Sequence, residues 1–435
     1  VTDKYIIQGQ RPLNGQVTIS GAKNSVLKLM SATLLTESGC KLYNVPNLTD
    51  VTVMANVLQA LGRKVVQGEG TLEVLPGTIS TCEAPYQLVS KMRASFNVLG
   101  SLLGRYGEAR VPLPGGCTIG KRGIDQHIKG LELLGAELTM SHGTISAKST
   151  GLKGANIALD MPSMGATENI ILSAVLAEGT TVLANAAQEP EIQDLILFLN
   201  AMGANIEGAG TSQVTIHGVR KSDLHGVEFT VMPDRIEAAT FMAAVTGTAG
   251  NIIIEKMQPN HLATVMGKLE KIGTQFQKLD ATTYQVSRLP ENRLQATSYV
   301  TTYYPGFPTD LQAPLMPLLA IADGVSMVTE NIYENRFKHV GELNRMGANI
   351  QVQNEIAVIT GVSQLSGAEV KAHDLRAGAA MVIASLMAEG HSSVYNLNHL
   401  DRGYDSFHLK LQNLGANINR LPLTSIEHQE LLEVL

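Results

Sequence analysis

The chain has 435 residues, more than one ordinary hydrophobic core accommodates; with 44% apolar and 17% charged residues it reads as a folded protein of two domains, not a disordered one. A net charge of −6 excludes a global basic field for nucleic acid, so any anionic ligand has to be met by a local cluster of Lys and Arg. Three cysteines, Cys40, Cys82 and Cys117, lie far apart with no CxxC, which argues against a disulfide framework or a zinc site. The opening VTDKYIIQGQ has no apolar signal-like region and no run reaches about 18 apolar residues, so no membrane partner and a cytoplasmic location are expected.

In chain order, a strand-forming stretch, 1–20, is followed by one pattern repeated six times at a spacing of about 70 residues. LQALGRKV (58–65) returns as LELLGAEL (131–138), LNAMGANI (199–206), LEKIGTQF (269–276), LNRMGANI (343–350) and LQNLGANI (411–418). Each predicts a helix closed by a glycine at its C-terminus and followed by a strand. A second series runs in phase: NSVLKLMSATLL, ASFNVLGSLLG, TENIILSAVLAEG, IEAATFMAAVTG, LQAPLMPLLAIADG and AGAAMVIASLMAEG, each leading through a glycine turn into a β-rich run. These helices lack a polar face and are expected to be buried on all sides, whereas the first series keeps a polar face and belongs nearer the surface. Pro317 is expected to kink or weaken the fifth. The fold class that follows is α/β, with helices inside, sheets outside and three repeats per domain. The domains are expected at 21–232, carrying the Cys117 loop, and at 1–20 with 233–435, with the active site in a cleft between them.

Polar residues stand just before each apolar helix: Lys23 and Asn24; Arg93; Ser163, Gly165 and Thr167; Asp234, Arg235 and Glu237; Thr309 and Asp310; Arg376. A buried helix tolerates charge at its N-terminus if that end opens onto a cleft, and free N–H groups there attract anions. Lys23, Arg93, Arg122, Arg376 and Arg402 would add formal charge to such a trap. The plainer reading is N-capping and surface ion pairing, which suits Ser163, Thr309 and Asp234; Asp310 reads equally as a base or a cap. Cys117 lies in PLPGGCTIGKRG (112–123), glycine-rich and followed by Lys121 and Arg122, a setting that suits a reactive thiol better than a packed one.

Taken in order, SGAKN (20–24), MRAS (92–95), LPGGCTIGKRGIDQHIKGLELLGAE (113–137), NAAQEPEIQDL (185–195), PDRIEAATF (233–241), FPTDLQA (307–313), ENRFKHVGELNRMGA (334–348), DLRAGAA (374–380) and DRGY (401–404) resemble the UDP-N-acetylglucosamine 1-carboxyvinyltransferase family, over nearly the whole chain. The resemblance implies an inside-out α/β barrel in each of two domains. It implies transfer of the enolpyruvyl group of phosphoenolpyruvate to the 3-OH of UDP-N-acetylglucosamine with release of phosphate, the first committed step of peptidoglycan precursor synthesis, without metal or organic cofactor. Lys23, Arg122 and Arg402 match residues that hold phosphoenolpyruvate, and Arg93 and Arg376 match their cationic neighbours. Asn24 and Asp310 match residues at the sugar, Asp310 placed to take or orient the hydroxyl proton, with Thr309 beside it. Cys117 matches a mobile-loop thiol serving proton transfer or product release, and the target of fosfomycin. Arg122, Gly123, Ile124, Asp125, Gln126 and His127 match the uridine-binding run; Ser163, Met164 and Gly165 lie near the diphosphate; Ile332 matches a backbone contact. The alternatives are another acceptor, such as shikimate 3-phosphate, or a non-catalytic UDP-N-acetylglucosamine-binding paralogue.

Overall fold

Six helices without a polar face form where the apolar runs stand: Lys23–Ala32, Val98–Tyr106, Met164–Ala174, Arg235–Gly247, Gln312–Ala320 and Leu375–Met387. The computed structural model describes residues 3–115, 119–120 and 122–423. Every residue of Arg235–Gly247 and Gln312–Ala320 is buried, as is every residue of Leu375–Met387 after the first. With no water at hand, hydroxyls on these helices turn back on their own backbone: Thr240, Thr246 and Ser385 each donate to the carbonyl four residues earlier at 2.7 Å. The Gln312–Ala320 helix runs through Pro317 without ending there, although it has nine residues against thirteen in each of its two packed neighbours. Complete burial of its apolar side chains outweighs the one lost backbone bond.

The chain divides into two compact units, one of residues 20–117 and 122–232, the other of 1–19, 118–121 and 233–435. The expected division ran 21–232 against 1–20 and 233–435, so Ser20 and the short stretch at 118–121 fall on the other side of it. In the first unit Val98–Tyr106 packs on Met164–Ala174 and on Lys23–Ala32; in the second the three buried helices pack on one another. Each unit also holds three small sheets. Among the described residues five sheets have four strands and the one built on Glu108–Pro112 has three.

Each unit joins its ends within a sheet. Glu228–Thr230 pairs parallel with Cys40–Tyr43, so the last strand of the first unit returns to its first repeat. In the second unit Asp3–Gln8 lies antiparallel between His391–Tyr395 and Asn417–Pro422, and Asn14–Thr18 pairs parallel with Asn251–Glu255. The six repeat glycines, Gly62, Gly135, Gly203, Gly273, Gly347 and Gly415, all take φ between 91° and 124°, the left-handed turn that ends each outer helix. An amide side chain spans the turn that follows: Asn200 donates to the Ile206 carbonyl at 2.8 Å and accepts from the Ile206 N–H at 2.9 Å, and Asn344 does the same with Ile350.

The outer helices are not uniformly superficial. Ala263–Ile272 buries only Val265, Leu269 and Ile272, as an amphipathic helix should. Pro190–Ala201 departs from that expectation: eight of its residues are buried, Glu191 and Asp194 among them. The glycine turns after the inner helices also vary. Gly107, Gly179, Gly324 and Gly390 take positive φ, but in the fourth repeat Ala249 does so in place of Gly250. There a Cβ would stand 2.2 Å from the Leu13 carbonyl, so close backbone approach is what requires the glycine.

Candidate functional site

In the 20–232 unit the expected nucleotide residues come together. Asp125, Gln126 and His127 form the first turn of the helix Asp125–Leu133, and Ser163 caps the helix Met164–Ala174 by accepting the Ala166 N–H. A Cβ on Gly165 would lie 3.1 Å from the His127 ring, so glycine there lets the two helix starts meet. The His127 ring, buried and edge-on to Phe96, takes a hydrogen bond at Nδ1 from the Asn169 amide at 3.0 Å. Burial, and then the nearby Arg93 cation, pull its pKa down to about 3. His127 is therefore neutral at pH 7 and carries its proton on Nε2. Gln126 clamps the same turn by donating to Asp160 at 2.8 Å and accepting the Asp160 N–H at 2.9 Å. Arg93, opening the short turn Arg93–Asn97, donates to the carbonyls of Arg122 and Gly123 at 2.9 and 3.3 Å and so ties down the start of the Arg122–His127 run, with Ile124 immediately before its helix.

Lys23 and Asn24 open their own helix, which packs against the Arg93–Asn97 turn. The Lys23 ammonium lies 2.9 Å from Asp50, whose side chain is 3% exposed, so this cation is aimed by a buried carboxylate from the outer helix Thr49–Ala60. Cys117, expected on a loop of this region, lies outside the described residues.

The second unit holds a cluster of a different kind. Thr309 and Asp310 sit in a 3-10 turn, Thr309–Leu311, ahead of the Gln312–Ala320 helix. Neither is a cap. Both Asp310 oxygens accept from arginines, Oδ1 from Arg336 at 2.8 Å and Oδ2 from Arg376 at 3.0 Å. The two guanidinium groups are 3% and 4% exposed, and Arg336 Nε and Arg376 Nη1 find no acceptor among the described residues. Such N–H groups are costly to leave unmet, which makes this a place for an oxygen-rich anion. Burial alone would lower the pKa of Arg376, but Asp310, Tyr404 and Asp234 outweigh it and the net shift is upward. The Tyr404 ring lies 5.3 Å from the Arg376 guanidinium carbon, and its hydroxyl meets Thr240 at 3.0 Å. Arg402 closes the turn Leu397–Arg402, which packs on the helix carrying Arg376.

Asp234 and Asp374 are N-caps in the ordinary sense, each accepting two backbone N–H groups of its own helix. Thr309 instead donates to Glu330 at 2.9 Å. Glu330, 1% exposed, also accepts the N–H groups of Ile332 and Tyr333 at 2.9 and 3.1 Å. One buried carboxylate thus fixes the turn that bears Asp310 and the backbone at Ile332 together.

Sequence reasoning missed Arg336, Asp50 and Glu330. Glu330 left a signal: in Val325–Glu330 the inward positions are Ser326, Val328 and Glu330, a charge where alternation calls for an apolar side chain. Arg336 and Asp50 left none, because their partners lie 26 and 27 residues away.

The family model for EPSP synthase (3-phosphoshikimate 1-carboxyvinyltransferase) matches residues 7–411. The chain is 51% identical over 419 residues to UDP-N-acetylglucosamine 1-carboxyvinyltransferase 2 of Carboxydothermus hydrogenoformans, covering 96% of this chain and 99% of that protein. It is 50% identical to UDP-N-acetylglucosamine 1-carboxyvinyltransferase of Gloeobacter violaceus, over 97% of this chain and 91% of the other. Among solved structures, the enolpyruvyl transferase NikO from Streptomyces tendae superposes with a TM-score of 0.88 at 25% identity, over 97% of this chain and all of that one. A fold of buried helices in threes, a carboxylate held between two buried arginines, and identity of this extent place the chain in the EPSP synthase family, among the UDP-N-acetylglucosamine 1-carboxyvinyltransferases.

Proposed function

We infer that the residues gathered in the two units serve one reaction. The chain transfers the enolpyruvyl group of phosphoenolpyruvate to the 3-OH of UDP-N-acetylglucosamine, with release of phosphate, in peptidoglycan precursor synthesis. The observation that carries the reading is the Asp310 carboxylate between Arg336 and Arg376, with guanidinium N–H groups left over, in a chain of this family.

In the addition step the sugar hydroxyl oxygen bonds to C2 of phosphoenolpyruvate, its proton goes to a base, and a proton is delivered to the methylene carbon. In the elimination step that methyl group gives up a proton, the C–C double bond re-forms and phosphate leaves with the C–O bonding pair. We assign the base to Asp310. As it stands both of its oxygens are engaged, so an anionic substrate that draws one arginine away also frees an oxygen for the hydroxyl proton. Lys23, Arg122, Arg376 and Arg402 hold the phosphate and carboxylate, and Arg336 joins them. By its place in the sequence Cys117 serves proton transfer at the methylene carbon or product release. Asn24 and Thr309 serve the sugar; the Arg122–His127 run, Ser163, Met164, Gly165 and Ile332 serve the nucleotide, with His127 as a neutral donor.

Each unit is read as one inside-out barrel, supported by three buried helices and three outer sheets. The reaction is assigned to the cytoplasm; among the described residues no helix is long and apolar enough to cross a membrane. Phosphate release from phosphoenolpyruvate, assayed with UDP-N-acetylglucosamine and separately with shikimate 3-phosphate, tests the reading. Release with the first acceptor alone is expected, and release only with the second, or with neither, would refute it.

A further inference from the structure

The helix that begins with Lys23 has no cap of its own. Ala22 occupies the N-cap position and offers no side-chain acceptor, whereas the helices that start at Met164, Arg235 and Leu375 are capped by Ser163, Asp234 and Asp374. The acceptor for its first turn comes from elsewhere in the chain. Ser25 donates its hydroxyl to Asp194 Oδ2, an oxygen that also accepts the Met232 N–H at 3.3 Å; the Met232 carbonyl in turn accepts the Ala22 N–H at 2.7 Å. Asp194, 6% exposed on the helix Pro190–Ala201, thus closes a ring through the segment just before Lys23 and the segment at Met232.

One turn further on, a second buried contact holds the same helix. The Lys28 ammonium pairs with Glu168 at 2.7 Å, and Glu168 accepts the Asn97 amide. Lys28, Glu168 and Asn97 are each 3–4% exposed. Three helices and the Arg93–Asn97 turn are therefore bound by polar contacts in an otherwise apolar core. A buried carboxylate is an expensive way to hold a helix unless the exact placement of that helix matters.

We propose that Asp194 is a positioning residue for the reaction, acting through Ser25 and Met232 to fix the helix start from which Lys23 reaches phosphoenolpyruvate. This rests on the assignment of Lys23 to phosphoenolpyruvate binding made above. Asp194 touches no substrate; it sets where the ammonium of Lys23 can go, with Asp50 setting the direction. The charged groups facing Asp194 are Glu191 on its own helix and Lys28 on the Lys23 helix; Glu168, on the third packed helix, is joined to Lys28. Burial, opposed by the Ser25 and Met232 hydrogen bonds, pushes the Asp194 carboxyl up to about 6, within the range where the enzyme can be assayed. Below that value the carboxyl is protonated and holds the Ser25 hydroxyl and the Met232 N–H less firmly, so the positioning weakens as pH falls through about 6.

Steady-state kinetics of the wild type, Asp194→Ala, Asp194→Asn and Ser25→Ala test this, with circular dichroism as the check on folding. Asp194→Ala is expected to lose about tenfold or more in kcat/KM for phosphoenolpyruvate while KM for UDP-N-acetylglucosamine changes much less, and Asp194→Asn, which keeps an acceptor, recovers most of that loss. The ratio of wild-type to Asp194→Asn kcat/KM changes between pH 7.5 and pH 5, because ionisation of the substrate phosphate is common to both enzymes and cancels. If Asp194→Ala does not fold, Ser25→Ala carries the test, with a loss of about threefold or more confined to phosphoenolpyruvate. A ratio flat with pH, Asp194→Ala and Ser25→Ala both within twofold of wild type, or equal losses toward both substrates would overturn the proposal. A wild-type enzyme that releases no phosphate would instead overturn the reaction assigned above.

Discussion

The buried helices of the two units begin among polar or charged residues, yet their starts are held in two ways. In the second unit two of the three buried helices start on a local aspartate: Asp234 and Asp374 each cap the helix that follows. In the 20–232 unit the start at Lys23 has no local cap, and its polar contacts come from Asp194 and Asp50, on two other helices. A local cap costs little sequence and stabilises its helix wherever that helix lies. A remote carboxylate stabilises only one placement, so it specifies position as well as existence.

Removing one arm of the charge cluster should break the comparison hardest. Arg376→Ala removes the guanidinium that Asp310 Oδ2 accepts from, and one of the groups assigned to the substrate anion. Turnover is expected to fall about 100- to 1000-fold in the phosphate-release assay, while the Asp374 cap of the same helix, made to backbone N–H groups, persists.

The next largest effect separates the two kinds of anchor by pH. The folded-state pKa of Asp194 lies above its ordinary value, at about 6 against 3.8, so the folded protein holds this proton more tightly than the unfolded chain does. Burial of the ionised group therefore opposes folding above about pH 6, and that penalty is relieved as pH falls toward 4, by about 1 kcal/mol per pH unit. Denaturant unfolding of the wild type and Asp194→Asn at pH 7.5 and pH 5 should show the wild type gaining on the variant at the lower pH.

The smallest effect is loss of a local cap. Asp374→Ala should cost about 1 kcal/mol in unfolding free energy. A cost several times larger would mean that Asp374, like Asp194, holds more than its own helix.

The same contrast explains what could be read in the sequence. The six-fold repeat was legible because each turn glycine, from Gly62 to Gly415, answers to a local backbone demand, a positive φ, and leaves its mark within eight residues. The all-apolar helices were legible for a similar reason: burial on every side acts on each residue of the run. Local caps at Ser163 and Asp234 could be named from the residues next to them. Arg336, Asp50 and Asp194 could not be paired with their partners, because a pair across 26 or 169 residues has no signature in either stretch alone. Asp310 stood between these cases: its importance was legible as a base or a cap, but the two arginines that hold its carboxylate in place of a cap were brought in by folding. The depth of Pro190–Ala201 was misread because the polar face of its repeat series suggested a surface, whereas Glu191 and Asp194 are themselves buried.

The most direct measurement is the initial rate of phosphate formation from phosphoenolpyruvate and UDP-N-acetylglucosamine by the wild type and Asp310→Ala side by side. Rapid formation by the wild type, dependent on the nucleotide sugar and lost by at least about 100-fold in the variant, is the predicted result. Undiminished phosphate formation by Asp310→Ala would contradict the account.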